Sequence, residues 1–143
     1  MGKNVINCKK PGGGQIVKLC NNQALFCQML SICEALALGE KLGMDPKLIS
    51  DIMRNATGRC WSIDAYNPIP GYLENVPASR DYTEGFSCTG TVKDLTLSTN
   101  SAKGANANVD LALLTKKRYE EVCEIDSTKD FGFLYQLIKK KGF

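Results

Sequence analysis

The apolar positions of this chain recur mostly at helical spacing. Residues Gln15 to Leu42 form an almost unbroken run of helix-favouring residues, and Gly43 follows where a helix cap is expected. Apolar side chains occupy more than one face of this run, so the helix has to be buried by its own domain or by a partner subunit. The pattern predicts one long central helix, about 42 Å long at the usual rise per residue.

Four further segments have the spacing of helices with one apolar face. They run from Pro46 to Ala56, from Phe86 to Lys103, from Asn106 or Asn108 to Cys123, and from Asp130 to the lysines at 139–141. Asp45 stands where it can cap the first of these, since proline is favoured at the first helical position. The short, partly β-branched run from Asn4 to Cys8 predicts a strand. The chain is therefore predicted to be an all-α bundle of five helices with at most one strand.

A long loop is predicted between Thr57 and Ser87, where Gly, Pro, Asn, Ser and Asp are frequent. A loop of this length inside a compact domain is usually functional or acts as a lid. Its large aromatic residues are Trp61, Tyr66, Tyr72 and Tyr82. They either hold the loop against the core or contact a substrate or partner, and Arg59 fits either role.

Composition and charge argue against several classes of protein. With 43% apolar and 23% charged residues the chain is globular, and a net charge of +3 is too weak to predict nucleic-acid binding. The basic runs at 116–118 and 139–141 are expected to be solvated helix faces. Polar residues interrupt the uncharged part of the long helix, so no membrane span is expected. The first residues match neither a secretory signal nor a transit peptide, and we do not expect a secreted protein.

Seven cysteines without any histidine or Cys-x-x-Cys pair argue against a zinc site, and against a disulfide scaffold. No metal ligands are predicted. Free thiols are typical of a reducing compartment such as the cytosol or the mitochondrial matrix. Cys20, Cys27 and Cys33 lie on the predicted long helix and are expected to be small core residues rather than redox groups.

The strongest candidate for chemistry is the glycine run that opens the long helix. Gly12, Gly13 and Gly14 permit a ligand to approach the backbone, and the first N–H groups of a helix attract anions. Lys18 follows in about the first turn, where the helix dipole disfavours its charged form and so favours proton exchange near neutral pH. Asn22 shares the same helix face. On spacing alone, a plain linker followed by solvated surface side chains is the more frequent explanation, because short motifs often match by chance.

The spacing of Gly12, Gly14, Lys18 and Asn22 resembles the catalytic-lysine motif of the β-hydroxyacid dehydrogenase family. Four further segments resemble those of the 3-hydroxyisobutyrate branch of this family in order and spacing. These segments are Gly58 to Ser62, Tyr66 to Gly71, Gly85-Phe86, and Lys93 to Leu95. The resemblance extends over most of the chain. It implies the helical C-terminal domain of the 6-phosphogluconate and hydroxyisobutyrate dehydrogenase type, in which the long helix joins two domains.

The resemblance also implies roles for individual residues around a small 3-hydroxy acid substrate. Lys18 would be the catalytic acid and base. Gly14, Asn22 and Phe86 would bind the substrate.

On the cofactor side, Lys93 would approach the nicotinamide, and Asp94 would orient Lys93 or brace its helix. The cofactor would be NAD, bound mainly by a dinucleotide-binding domain. NADP is equally open, because the discriminating residue belongs to that domain. The protein would be a homo-oligomer formed through its helical domain, in the mitochondrial matrix or the cytoplasm.

Two parts of unequal size are expected along the chain. Residues 1–11 resemble the last strand and linker of a dinucleotide-binding domain, and residues 12–143 form the helical substrate and dimerisation domain. The Gly-x-Gly-x-x-Gly fingerprint of the former is absent from this sequence. Lys9 and Lys10 add positive charge just before the motif, and Gly90 is expected to weaken its helix by about 1 kcal/mol.

The implied function is the C-terminal part of an NAD-dependent oxidoreductase that converts 3-hydroxyisobutyrate to methylmalonate semialdehyde in valine catabolism. The isolated chain would have little or no activity. Two alternatives stay open. A non-catalytic helical dimerisation module would tolerate changes at Lys18 and Asn22, whereas a glyoxylate or tartronate semialdehyde reductase would differ in substrate.

Overall fold

A computed structural model describes residues 6–142 as a bundle of helices, with no regular strand in that range. The helices are α1 (Gly13–Lys41), α2 (Pro46–Arg54), α3 (Trp61–Asp64), α4 (Cys88–Gly104), α5 (Asp110–Asp126) and α6 (Leu134–Lys140). Two 3₁₀ turns are present at Pro77–Arg80 and Phe131–Phe133. The predicted all-α class is confirmed.

Helix α1 is the central element and contacts each of the other five helices. Gly12 has a left-handed φ of 75° and turns the chain into the helix at Gly13, two residues before the expected start. From Phe26 onward α1 is buried against the bundle, whereas its first three turns are largely exposed. The bundle therefore buries only the second half of the long helix. No helix among residues 6–142, α1 included, combines the length and apolar character needed to cross a membrane.

Side-chain caps fix the starts of two shorter helices. Asp45 accepts a hydrogen bond from the N–H of Lys47 at 2.9 Å, as its position before a proline predicts. Ser87 accepts one from the N–H of Gly90 at 3.1 Å. Helix α4 therefore starts just after Phe86 rather than at it.

Two expected elements are wrong. The strand predicted from Asn4 to Cys8 is absent over residues 6–8, and its first two residues lie outside the described range. A strand needs a neighbouring strand, and the helices of residues 6–142 offer none. The last helix begins at Leu134 and not at Asp130, because Asp130 has extended backbone and caps the 3₁₀ turn instead.

The segment from Thr57 to Ser87 is more ordered than a plain loop. It contains α3 and a 3₁₀ turn, and buried polar groups tie it to the bundle. The Asn67 amide donates to the Ser50 hydroxyl of α2 at 3.1 Å. The Tyr82 hydroxyl donates to the carbonyl of Pro68 at 2.8 Å. Buried side chains thus hold this segment against the helices and give it a defined shape.

The seven cysteines are all free. Cys27 and Cys33 are buried in the core, as expected, and burial raises the pKa of both thiols. They are therefore protonated and unreactive at neutral pH. Cys20 is exposed on the first half of α1, and its expected place in the core is wrong for this chain.

Candidate functional site

The glycine and lysine motif lies on the exposed first half of α1. A side chain built at Gly14 meets open space, so a ligand can approach the backbone there. Because α1 begins at Gly13, Lys18 lies in the second turn, where the effect of the helix dipole is weaker than in the first. Its side chain is exposed rather than partly buried.

Lys18 and Asn22 line one open groove, with walls from α1 and α4, which we call the lysine groove. It encloses about 220 Å³. Its lining residues are Gln15, Lys18, Leu19, Asn22, Asp94 and Leu97. The groove therefore combines a primary amine, an amide and a carboxylate with two apolar walls.

A hydrogen bond between α1 and α4 fixes the orientation of Asn22. Its Nδ2 donates to Oδ2 of Asp94 at 2.8 Å. The Asn22 Oδ1 accepts from the amide of Asn21 at 3.3 Å and has a second lone pair to offer. The amide is thus held with one Nδ2 hydrogen and one Oδ1 lone pair available to a ligand.

Asp94 also stands beside Lys93, whose ammonium lies 3.5 Å from Oδ1 of Asp94. The Asp94 side chain is 12% exposed, whereas that of Lys93 is 70% exposed. Asp94 therefore contacts Lys93 and also joins α1 to α4 through Asn22. Two lysines and one carboxylate give this edge of the site a positive balance that attracts anions.

A second groove adjoins the first at Asn22, and we call it the aromatic groove. It also encloses about 220 Å³. Its lining residues are Asn22, Leu25, Phe26, Trp61, Tyr66, Phe86 and Phe131. Tyr66 is stacked between Trp61 and Phe131, with 4.9 Å between ring centroids on each side. Phe86 stacks on Phe26 at 5.8 Å.

The aromatic residues of the 57–87 segment differ in burial, and only some of them line the aromatic groove. Tyr82 is buried and holds the segment in place. Trp61 is 49% exposed, and its indole faces the aromatic groove together with the half-buried Tyr66. Arg59 lines neither groove and forms an ion pair with Asp64 at 2.5 Å, which lowers the pKa of that carboxyl.

Asp130 is a buried carboxylate behind the aromatic groove. Its Oδ2 accepts hydrogen bonds from the Tyr66 hydroxyl and the Phe86 N–H, both at 2.8 Å. Its Oδ1 accepts from the N–H of Gly132 at 2.8 Å. Burial raises its pKa, an effect opposed by these three donors.

Of the sequence-predicted site residues, the structure brings Lys18, Asn22 and Asp94 together in one groove. Lys93 stands at its edge, and Phe86 lines the adjoining groove. Gly14 lines neither groove.

Two residues that shape the site were missed by the sequence reasoning, Phe131 and Asp130. The sequence marks Asp130 only as a helix start, because nothing local to it indicates Tyr66 or Phe86 as partners.

Comparison with known sequences gives a match over almost the whole chain. Residues 12–138 match the model of a family described as NAD-binding of NADP-dependent 3-hydroxyisobutyrate dehydrogenase. The mitochondrial 3-hydroxyisobutyrate dehydrogenase of Drosophila melanogaster is 40% identical over 144 residues, which is 100% of this chain and 44% of that protein. The human enzyme of the same name is 40% identical over 142 residues, 99% of this chain and 42% of that protein. The chain thus spans less than half the length of these relatives.

Solved structures share the fold. A Mycobacterium tuberculosis 3-hydroxyisobutyrate dehydrogenase, described together with L-serine, superimposes with a TM-score of 0.85 at 32% identity, over 90% of this chain and 44% of that one. A Salmonella typhimurium protein named 3-hydroxyisobutyrate dehydrogenase gives a TM-score of 0.76 at 22% identity, over 90% of this chain and 43% of that one, which supports the fold alone.

The family model covers most of the chain, and its match begins at the glycine run that opens α1. The helical bundle agrees with the M. tuberculosis structure over nine-tenths of this chain. The chain therefore belongs to the family described as NAD-binding of NADP-dependent 3-hydroxyisobutyrate dehydrogenase.

Proposed function

We propose that this chain is the C-terminal, helical part of an NAD(P)-dependent dehydrogenase that oxidises 3-hydroxyisobutyrate to methylmalonate semialdehyde, a step of valine catabolism. The observation that carries the proposal is the lysine groove, in which Lys18 and an oriented Asn22 lie one helical turn apart. Residues 12–143 would form the substrate and dimerisation domain. Residues 1–11 would belong to the dinucleotide-binding domain and its linker.

The groove chemistry suits a 3-hydroxy acid. The substrate hydroxyl would donate its hydrogen bond to the Lys18 amine, and its oxygen would accept one from the second Nδ2 hydrogen of Asn22, since the first is donated to Asp94. The exposed N–H groups at the start of α1, near Gly14, would add positive potential that attracts the anionic substrate. The apolar substituent of the substrate would enter the aromatic groove beside Phe86. The M. tuberculosis structure is described with L-serine, which is also a 3-hydroxy carboxylate.

The residues at the open edge of the lysine groove fit a nicotinamide cofactor. Lys93 has a largely exposed ammonium that Asp94 holds in place, and Leu19 and Leu97 offer apolar contacts nearby. Lys93 would contact the cofactor, which would be bound mainly by a dinucleotide-binding domain. When bound, the oxidised nicotinamide supplies the acceptor for the hydride that leaves the hydroxyl-bearing carbon.

Within this chain the chemical step is a proton transfer. Lys18 Nζ, as a neutral amine, takes the proton from the substrate hydroxyl while Asn22 holds the oxygen in place. In the reverse direction the Lys18 ammonium returns that proton to the carbonyl oxygen of the semialdehyde. Asp94 supports both the substrate side and the cofactor side of the groove. Its Oδ2 orients Asn22, and its Oδ1 lies beside the ammonium of Lys93.

Replacement of Lys18 by methionine tests this proposal. The polypeptide should be used in the length that its source cells make, and an intact mass above twice the 15.7 kDa of this chain would support a longer dehydrogenase. Turnover of 3-hydroxyisobutyrate with NAD or NADP should fall by about 10²- to 10⁴-fold in Lys18→Met, the usual contribution of a general acid or base. Formation of the reduced nicotinamide measures the rate.

Lys103→Met is the matched control, because Lys103 is exposed near the end of α4 and lines neither groove. It should leave turnover unchanged. Near-normal turnover in Lys18→Met, with unchanged helical circular dichroism, would contradict the assignment. Turnover rates measured with L-serine, glyoxylate and tartronate semialdehyde would show which class of substrate the protein accepts.

A second candidate function is a non-catalytic association module. It is favoured by the exposed apolar side chains of the bundle, among them Ile16 and Val17 on α1 and Leu111 and Leu114 on α5. Such clusters often mark contact surfaces. This function predicts that Lys18→Met and Asn22→Ala leave self-association intact, whereas charged substitutions on apolar faces abolish it.

The names of the relatives indicate a compartment. Both the Drosophila and the human relative are named as mitochondrial proteins. We infer a mitochondrial matrix or cytoplasmic location. Fractionation of the source cells, with antibody against this chain, tests it.

A further inference from the structure

One buried carboxylate connects two walls of the aromatic groove. Asp130 is 1% exposed, and its Oδ2 accepts from both the Tyr66 hydroxyl and the Phe86 N–H. Tyr66 and Phe86 are 20 residues apart in the sequence and approach the groove from separate parts of the 57–87 segment. A single side chain therefore fixes a side-chain hydroxyl on one wall and a backbone position on the other.

Capping alone does not require this arrangement. The hydrogen bond from Gly132 to Oδ1 is sufficient to cap the 3₁₀ turn, and it leaves Oδ2 free. Asp130 forms no ion pair with any residue in the range 6–142, so its burial is offset by hydrogen-bond donors alone. Two of these donors, the Tyr66 hydroxyl and the Phe86 N–H, belong to the groove walls. Asp130 therefore also fixes the position of these walls, in addition to capping the turn.

The backbone of residues 81–84, which leads to Phe86, is strained, and Asp130 holds it in place. Asp81, Tyr82 and Glu84 all have left-handed φ values, of 51°, 55° and 56°. Such values persist where the surroundings impose them. The N–H of Asp130 donates to the carbonyl of Tyr82 at 2.8 Å, which ties the strained stretch to the 3₁₀ turn.

Gly85 provides the space that this contact needs. A Cβ atom at Gly85 would lie 2.1 Å from Oδ2 of Asp130, closer than any real contact. The N–H of Phe131 also donates to the carbonyl of Phe86 at 2.9 Å. Phe86 is therefore held through both its N–H and its carbonyl by residues 130 and 131.

We propose that Asp130 is a positioning residue that sets the separation of the Tyr66 and Phe86 walls and, through the stack on Tyr66, the place of Trp61. It does not touch the reacting atoms. The use of this groove by the substrate's apolar substituent rests on the function proposed above. The fixing of the walls does not depend on it.

The test combines a spectroscopic with a kinetic measurement. Trp61 is the single tryptophan of the 143 residues and stacks on Tyr66, so its fluorescence reports on the groove without any reaction. Asp130→Asn keeps the size of the side chain but replaces one acceptor oxygen by a donor group. It should shift Trp61 emission to longer wavelength and raise its quenching by acrylamide in the full 143-residue chain. In the polypeptide as the source cells make it, KM for 3-hydroxyisobutyrate should rise about tenfold while kcat changes less.

Val122→Ala is the control, because Val122 is fully buried on α5 and lines neither groove. It should lower stability but leave the Trp61 emission and KM unchanged. Tyr66→Phe should produce part of the Asp130→Asn change, and the double variant should show less than the sum of both, as expected for residues in direct contact.

The possible outcomes separate the two proposals. A Trp61 change in Asp130→Asn and not in Val122→Ala supports the positioning role, even if the wild-type protein oxidises no 3-hydroxy acid, a result that would overturn the proposed function alone. Unchanged Trp61 emission and unchanged KM in a folded Asp130→Asn variant would overturn the positioning role. Equal emission changes in Asp130→Asn and Val122→Ala would also overturn it, since general loosening would then explain them.

Discussion

Gly90 shows how one missing side chain shapes the site. It is the third residue of α4, where the sequence predicts a weakened helix, yet the helix continues through it. A Cβ atom at Gly90 would lie 3.0 Å from the ring of Phe86, which is tighter than most real contacts. The absence of a side chain therefore gives the Phe86 ring its place on the aromatic groove.

Gly90→Ala should make the protein more stable but weaken substrate binding. Alanine gains about 1 kcal/mol in helix propensity, and the Phe86 ring, which is 41% exposed, can move outward by the small distance required. We expect the free energy of unfolding to rise by up to about 1 kcal/mol and KM for the proposed substrate to increase. Urea denaturation and steady-state kinetics measure the two effects.

Gly104→Ala is the comparison, because Gly104 ends the same helix and a Cβ atom there meets open space. It should leave KM unchanged. A loss of stability in Gly90→Ala would show that Phe86 cannot move, and equal KM values in both variants would show that its ring position does not matter for binding.

At the scale of the elements, the sequence predicts those features that depend on neighbours in the chain. The cap of α2 is an example, since Asp45 and the N–H that it accepts from are two residues apart. The role of Asp130 is the opposite case, because its partners lie 44 and 64 residues away. The exposure of Cys20 could not be predicted either, since it depends on which part of α1 the other helices cover. The sequence therefore predicts the helices and the shared helix face of Lys18 and Asn22. It does not predict which residues distant in the sequence form contacts.

Helix α5 is joined to Lys141, the residue that follows α6, by an ion pair with a predictable pH dependence. Glu121 lies 2.6 Å from the ammonium of Lys141 and 2.9 Å from the guanidinium of Arg118. The hydrogen bond from Lys141, followed by the charge of Arg118, lowers the pKa of Glu121. A lowered carboxyl pKa adds stability above the unfolded-state value, and this stability is lost as the pH falls through the folded-state value.

Glu121→Gln should therefore reduce the free energy of unfolding at pH near 7 by less than about 1 kcal/mol, because partly exposed pairs are screened by solvent. The difference from wild type should shrink as the pH falls below the unfolded-state pKa of about 4.3 and disappear below the lowered folded-state pKa of the carboxyl. Denaturation curves at a series of pH values measure it, and added salt should diminish it. Glu74→Gln is the control for the loss of one carboxylate, because Glu74 is exposed and belongs to neither of these ion pairs. A constant difference at all pH values would exclude an electrostatic origin.

At the scale of the whole molecule, apolar surface is concentrated where α1 ends and α2 begins. Leu48 and Ile52 are four residues apart on one face of α2 and are 45% and 58% exposed. Leu38 and Leu42 have the same spacing at the end of α1, which packs against α2, and are also exposed. Single exposed apolar residues are normal, whereas neighbouring pairs on adjoining helices are typical of contact surfaces.

If a second copy of the chain covers this surface, Ile52→Glu should weaken self-association by at least about tenfold, since a charge would have to be buried without a partner. Sedimentation equilibrium measures the dissociation constant. Ile125→Glu is the comparison, because Ile125 is 60% exposed on α5 and tests the apolar side chains of that helix as the alternative contact. Equal effects of both substitutions, or of neither, would exclude the α2 face as the contact. A wild-type chain that stays monomeric at high concentration would remove the basis of the association module and leave the dehydrogenase as the better supported function.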